Sequence, residues 1–250
     1  GSNIANIAMV LGTTLLIAPL MVHGACMKKE IPLLLVATFG AGVLILDGEL
    51  TALDGWLMII ALAVIFFTMV RSQIHDTDLT AEVVDEPLPH LKPLRAWLSF
   101  IIGLILLIGS ARMLVFGAVM AAKELGVPEL VIGLTIVAVG TSLPELAATV
   151  ASALRGHTEI ALGNVIGSNL FNLLAVMSVP GVIAAQVLDP MVLSRDYLTM
   201  TALTLFLAAA IYTSRWRDKS RAHHAYLGRI VGVLLVSFYA LYYYWLHTTI

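Results

Sequence analysis

Long apolar blocks separated by short polar punctuation organise the chain. Blocks at about 1-18, 31-46, 52-70, 94-122, 129-153, 159-183, 196-213 and 228-247 read as eight membrane-spanning helices, because a helix crossing a bilayer core needs about 20 apolar residues. Pro19, Asp47-Gly48, Asp54-Gly55, Pro128 and Asp189-Pro190 punctuate them in the manner of turns. The longest gap, 71-93, holds Asp76, Asp78, Glu82, Asp85 and Glu86 with Pro87, Pro89 and Pro93, and reads as a solvated acidic linker rather than a folded domain. The pattern predicts an all-α polytopic membrane protein.

Polar groups inside the blocks change that picture from class to chemistry. Glu145 is the sole carboxylate deep in an apolar block, and an ionisable group at bilayer depth marks a functional site unless a partner neutralises it. Ala138, Thr141, Ser142 and Glu145 fall at i, i+3, i+4 and i+7, which is one stripe of a helix. Pro144 has no N–H for the Gly140 carbonyl, so a broken helix with freed carbonyl oxygens is expected beside the acid. On the next block Asn164, Ser168 and Asn172 recur every fourth residue as a facing polar stripe, and Gly163 and Gly167 are expected to allow close helix contact. The two stripes together make an all-oxygen nest. Calcium takes about six to eight hard oxygens in irregular geometry, which carboxylate, hydroxyl, amide and carbonyl groups supply. Two blander readings stand beside this one: Glu145 paired with Arg112, and the Ser and Asn stripes acting as interhelical glue.

Composition closes off other classes. With 60% hydrophobic and 12% charged residues and a mean hydropathy of +0.96, the chain is no soluble domain. The single cysteine, Cys26, excludes an internal disulfide, and no Cys/His spacing suits a soft metal. The blocks hold no aspartate pair, HExxH or Ser/His arrangement, so an intramembrane enzyme is not expected and no cofactor is implied. A net charge of -2 names no partner; membrane lipids and inorganic cations are the expected ones, nucleic acid is not, and oligomeric state stays open. If the loop holding Lys28 and Lys29 is cytoplasmic, so are Arg71, Lys92, Arg95, Arg155, Arg215, Arg217, Lys219, Arg221 and Arg229. Lys123 and Arg195 then lie outside with the carboxy terminus.

An internal repeat adds architecture. Gly1-Ser2-Asn3-Ile4-Ala5-Asn6-Ile7 matches Gly167-Ser168-Asn169-Leu170-Phe171-Asn172-Leu173, and the register continues without a gap to Lys29-Glu30 opposite Arg195-Asp196. The spans between place the copies in opposite orientations, as in secondary transporters built from inverted repeats with a midplane site. The first copy lacks a counterpart of 94-166, so an upstream extension of roughly 70 residues and two helices is expected.

The stretch GLTIVAVGTSLPEL followed by GNVIGSNLFNLL resembles the second alpha-repeat of the calcium/cation antiporter superfamily, which includes the sodium/calcium exchangers; the linker and loops are most similar to its bacterial YrbG-type members. The resemblance implies an inverted-repeat exchanger fold of ten helices, about eight of them in this chain. Residues 1-70 would be a first alpha-repeat lacking two helices, 71-93 an acidic cytoplasmic linker, and 94-250 a complete second alpha-repeat. Two long helices would slide against a compact core, 94-122 being one, with Gly103, Gly109 and Gly117 leaving small gaps along it. The motif positions imply Glu145 as the main calcium ligand, Thr141 and Ala138 through backbone oxygens, and Ser142 and Ser168 toward the coupling-ion sites. Asn172 completes this half, and Ser2 and Asn6 contribute from the other. Sodium-coupled relatives can carry an aspartate at the position of Asn172, and the amide here leaves the coupling ion, sodium or proton, open. The implied function is antiport of Ca2+ against Na+ or H+ by alternating access in a bacterial inner membrane, with the ions as bound cargo. The rival reading is a non-transporting scaffold or an inactive fragment, and ion flux separates the two.

Overall fold

The structure, a computed structural model, describes residues 1–24, 26–75, 93–127, 132, 136–217 and 225–249. Along them run α1 (Ser2–Ile17), β1 (Leu20–Val22), α2 (Ile31–Leu44), β2 (Glu49–Leu50), α3 (Ala52–His75), α4 (Pro93–Glu124), α5 (Ala138–Thr141), α6 (Leu143–Leu154), α7 (Thr158–Ile183), β3 (Gln186–Val187), α8 (Val192–Trp216), β4 (Ala225–Leu227) and α9 (Arg229–Thr248). The fold is mostly helical, and five of these helices, α3, α4, α7, α8 and α9, are long and apolar enough to cross a membrane. This is an integral membrane protein. Of the other expected spans, α1 and α6 are shorter apolar helices and α2 has 14 residues. Part of the 129-153 block and residues 76-92 of the acidic linker lie outside the described residues.

Among the described residues, wide turns of π-helix interrupt the α-helical runs at Ala5–Leu11 within α1, Cys26–Glu30 ahead of α2, Asn172–Val176 within α7 and Val192–Tyr197 opening α8. Nothing in the hydrophobic pattern announces them, because a π turn adds a residue without changing which residues are apolar. The short strands were likewise not legible as strands.

The chain separates into two compact units, residues 66–144 and residues 1–65 with 145–250. In the smaller unit α5 packs on α4 through Gly140, where an added Cβ would collide with Val115. The gaps expected at Gly103, Gly109 and Gly117 of α4 are not packing contacts: a Cβ at each would meet nothing within 4 Å among the described residues. α5 ends at Ser142 (φ −96°, ψ 2°), whose N–H reaches the Val139 carbonyl at 3.0 Å. α6 restarts at Leu143, so Pro144 sits in a first helical turn, where its missing N–H is not needed.

In the larger unit the backbone repeats itself 166 residues on, the separation of Asn3 from Asn169. Gly12–Ile17 of α1 recurs as Ser178–Ile183 of α7, and each segment stops at an extended alanine, Ala18 (φ −136°, ψ 122°) or Ala184 (φ −160°, ψ 142°). The Thr38 hydroxyl donates to the Leu34 carbonyl at 2.8 Å, as Thr204 does to Met200 at 2.9 Å. β1 pairs antiparallel with β4, Leu20 opposite Leu227, while β3 pairs antiparallel with β2, Gln186 opposite Leu50. Each copy therefore lends its first strand to the second strand of the other, as a two-fold exchange requires. Helix crossings repeat as well. A Cβ on Gly55 would lie 2.8 Å from the Ser178 carbonyl oxygen, and one on Gly232 would lie 2.8 Å from that of Gly12. Glycine is needed there because the backbones touch. The close contact expected at Gly163 and Gly167 is absent among the described residues; Gly12, Gly55, Gly181 and Gly232 hold that role instead.

Candidate functional site

Glu145 lies in the first turn of α6, half-buried, where the free N–H groups of a helix start favour an anionic side chain. Its own carbonyl accepts from the Thr149 hydroxyl at 2.6 Å and from Asn164 Nδ2 at 3.4 Å. Asn164 also donates to Thr149 Oγ1 at 2.9 Å. Thr149 is fully buried, so this three-residue network pins the start of α6 to the polar stripe of α7. The Glu145 carboxylate makes no hydrogen bond or ion pair among the described residues.

Further along the stripe Ser168 is half-buried, and Asn172 opens the π turn of α7, its carbonyl accepting from the Met177 N–H five residues on at 3.1 Å. π turns of this kind recur at functional sites because they rotate side chains and leave carbonyls out of the regular ladder. Asn172 and Ser2 line one cavity of about 250 Å³, together with Asn3, Val176, Met177 and Tyr197. Asn6, in the matching turn of α1, is 1% exposed, and neither its Oδ1 nor its Nδ2 has a partner among the described residues. Asn3 Nδ2 donates to the Asn169 carbonyl at 3.2 Å, and Asn169 Nδ2 to the Val165 carbonyl at 2.7 Å, while both Oδ1 atoms are buried and without a partner among the described residues. A buried polar group without a partner costs about 1–3 kcal/mol. Several such groups gathered on two crossing helices constitute a polar site rather than a packing core.

The structure thus brings Ser2 to Asn172, and Glu145 to Asn164, within the larger unit. Ala138, Thr141 and Ser142 belong to the smaller one: Ala138 opens α5, Thr141 closes it and is exposed, and Ser142 is 2% exposed. Three residues of the site were missed from the sequence. Thr149 extends the Glu145 stripe by one more i+4 step, and Asn3 and Asn169 are the matched asparagines of the two Gly-Ser-Asn copies; both signals were present. The donors are oxygens and amides, and among the described residues no group of three or more His, Cys, Asp or Glu side chains converges to hold a metal. Such a set suits hard cations that bind and leave.

Known proteins resemble the chain over most of its length. The chain is 41% identical to CaxA of Alkalimonas amylolytica over 210 residues, covering 83% of this chain and 66% of that protein. It is 37% identical to the inner membrane protein YrbG of Escherichia coli over 246 residues, covering 95% of this chain and 72% of the relative. A structure of the sodium-calcium exchanger NCX_Mj soaked with 2.5 mM Na+ and 1 mM Sr2+ superposes with a TM-score of 0.77 at 28% identity, over 96% of this chain and 73% of that one. The family is one of transporters, not enzymes. The profile of the sodium/calcium exchanger proteins matches residues 1–71 and 95–247, and the chain belongs to that family.

Proposed function

We propose that the protein is a secondary antiporter that exchanges Ca2+ for Na+ or H+ by alternating access at the oxygen-lined site. Glu145 supplies the charge, and Ser168, Asn172, Ser2 and Asn6 supply side-chain oxygens. The observation that carries this reading is Asn6, whose buried amide has no partner among the described residues although it sits in a π turn repeated at Asn172. Leaving such a group unsatisfied costs free energy that packing does not return, and cation ligation is a use that offsets it. Two cations competing for shared oxygens are coupled, since each disfavours the other without covalent chemistry.

The same reading takes residues 1-70 and 94-250 as two alpha-repeats of opposite orientation joined by the acidic linker. The basic loops face the cytoplasm and the carboxy terminus the outside of a bacterial inner membrane. The test is calcium uptake into vesicles by the full-length protein. Glu145→Gln keeps the side-chain shape and removes the charge, and the expected loss of uptake is at least about tenfold, the equivalent of about 1.4 kcal/mol. Normal uptake by a folded Glu145→Gln protein would leave the carboxylate a structural group and the site wrongly assigned.

A further inference from the structure

The cavity shared by Ser2 and Asn172 also has an acidic wall. Asp196, in the π turn that opens α8, lines it, with 24% of its side chain exposed. Asn3 lines it too, and its buried Oδ1 has no partner among the described residues. Neither residue belongs to the ligand set proposed above, in which Glu145 supplies the charge.

A guanidinium fork holds the acid. Arg195 Nε donates to Asp196 Oδ1 at 2.7 Å and Nη2 to Oδ2 at 3.1 Å, and the Tyr242 hydroxyl of α9 donates to Oδ1 at 3.1 Å. Oδ2 accepts from Arg195 alone among the described residues, although each carboxylate oxygen has two lone pairs. Arg195 is 8% exposed and has a second anchor, for its Nη1 donates to Thr249 Oγ1 at 2.8 Å, just past the end of α9. The guanidinium therefore keeps a hydrogen bond if it gives up the acid. One role for such a pair is a tie between the start of α8 and the end of α9. A tie needs no cavity, however, and this carboxylate shares one with the Asn172 and Asn3 amides and the Ser2 hydroxyl. Hard cations take that mixture of carboxylate, amide and hydroxyl oxygens.

We propose that Asp196 is a cation ligand of this cavity and that Arg195 is a tethered stand-in for the cation, which neutralises the carboxylate between cargo ions and yields it when Ca2+ or Na+ enters. A carboxylate left alone in a half-buried site is costly, so an acid that must release its cargo needs another cation to take the vacated place. Arg195 fills that place without leaving the protein. The guanidinium and the entering cation compete for the same two oxygens, so each weakens the hold of the other. Asp196 thus adds a second carboxylate to the set, from a helix other than the one that carries Glu145. The proposal rests on the reading of Ser2 and Asn172 as cation ligands.

Competition predicts opposite signs at two adjacent residues, which a tie does not. Binding of radioactive calcium to the purified full-length protein is measured by equilibrium dialysis, with the unfolding midpoint in calcium-free buffer as the control for folding. Asp196→Asn keeps the shape and removes the charge, and should raise the half-saturating calcium concentration by about fivefold or more, the lower end of coupling between linked sites. Arg195→Gln removes the competitor and should lower that concentration by a similar factor, about fivefold. If either variant fails to fold, Asp196→Ser and Arg195→Lys are the second arms; lysine keeps the charge but loses the fork, so its shift should have the sign of Arg195→Gln and be smaller. Variants at the two positions that shift binding in the same direction, or not at all, would leave the pair a tie between helices and overturn the proposal. Calcium uptake into vesicles by the same proteins separates this proposal from the exchanger reading: opposite shifts in binding without uptake by the native protein keep the Asp196 site and remove the exchanger, while uptake without opposite shifts does the reverse.

Discussion

Two stretches of the larger unit, Ser2–Leu44 and Ser168–Trp216, follow one backbone path with different side chains. At the position where Thr14 donates its hydroxyl to the Val10 carbonyl at 2.8 Å, the second copy has Pro180, which has no N–H at all. Both loosen the same turn, one by adding a competing donor and the other by removing one. Asn6 is buried with its amide unpartnered, whereas Asn172 is half-buried and lines the cavity. Asp196 is held by Arg195 at 2.7 Å, where the first copy has Glu30 and Lys29. Backbone shape tolerates this divergence because it depends on where glycine and polar groups permit close approach. The chemistry at each end depends on single charged positions that are free to differ.

The largest expected effect tests whether the two copies are equivalent in packing. Gly55→Val and Gly232→Val each force a side chain onto a carbonyl 2.8 Å from the new Cβ, and Gly55→Val also meets Val182 Cγ2 at 2.7 Å. Each substitution should destabilise by about 1–3 kcal/mol or more, by similar amounts, in thermal unfolding of the purified protein. Gly163→Ala, with nothing within 4 Å of its Cβ, should be neutral or slightly stabilising. A large loss at only one of Gly55 and Gly232 would break the two-fold packing.

An intermediate effect separates the two asparagines. Asn6→Leu removes a buried amide that has no partner, so stability should hold or rise, by about 1–3 kcal/mol at most, while calcium uptake falls. Asn172→Leu should change stability less, since this residue is half-buried. Asn172→Asp should shift the sodium or pH dependence of uptake more than it shifts the unfolding midpoint. Uptake unaffected by both Asn6→Leu and Asn172→Asp would remove the π turns from the ion path.

The sequence made some of this legible and hid the rest for identifiable reasons. Glu145, the Asn164-Ser168-Asn172 stripe and the Gly-Ser-Asn repeat were visible because membrane helices are so uniformly apolar that each polar residue stands out. The helix break was anticipated from Pro144, and it falls at Ser142, where the backbone turns before the proline rather than at it. Which glycines touch was not visible. Gly163 and Gly167 have the small-residue spacing of a contact, but a contact also needs a partner helix on that side, and spacing along one chain does not report one. β1 to β4 escaped notice because strands of two or three residues have no periodicity to read.

The smallest expected effect concerns ties that exist in only one direction between the copies. The Tyr197 hydroxyl donates to the Thr38 carbonyl and the Tyr212 hydroxyl to the Met27 carbonyl, so α8 of the second copy is bonded to the α2 region of the first. The symmetry-related positions are Ile31 and Leu46, which have no hydroxyl to return. Tyr197 is half-buried, with its ring against Gly42, where a Cβ would lie 3.0 Å from Tyr197 Cε1. Tyr212 is 40% exposed, so its hydroxyl returns to solvent more readily when the bond is lost. Tyr197→Phe should therefore cost about 1 kcal/mol, and Tyr212→Phe about half that or less. Combined, the two changes should add, because they sit at opposite ends of the pairing and share no partner. Unfolding midpoints of the two single variants and the double variant decide the matter. A Tyr212→Phe loss larger than that of Tyr197→Phe would mean that the exposed tie, and not the buried one, holds the copies together.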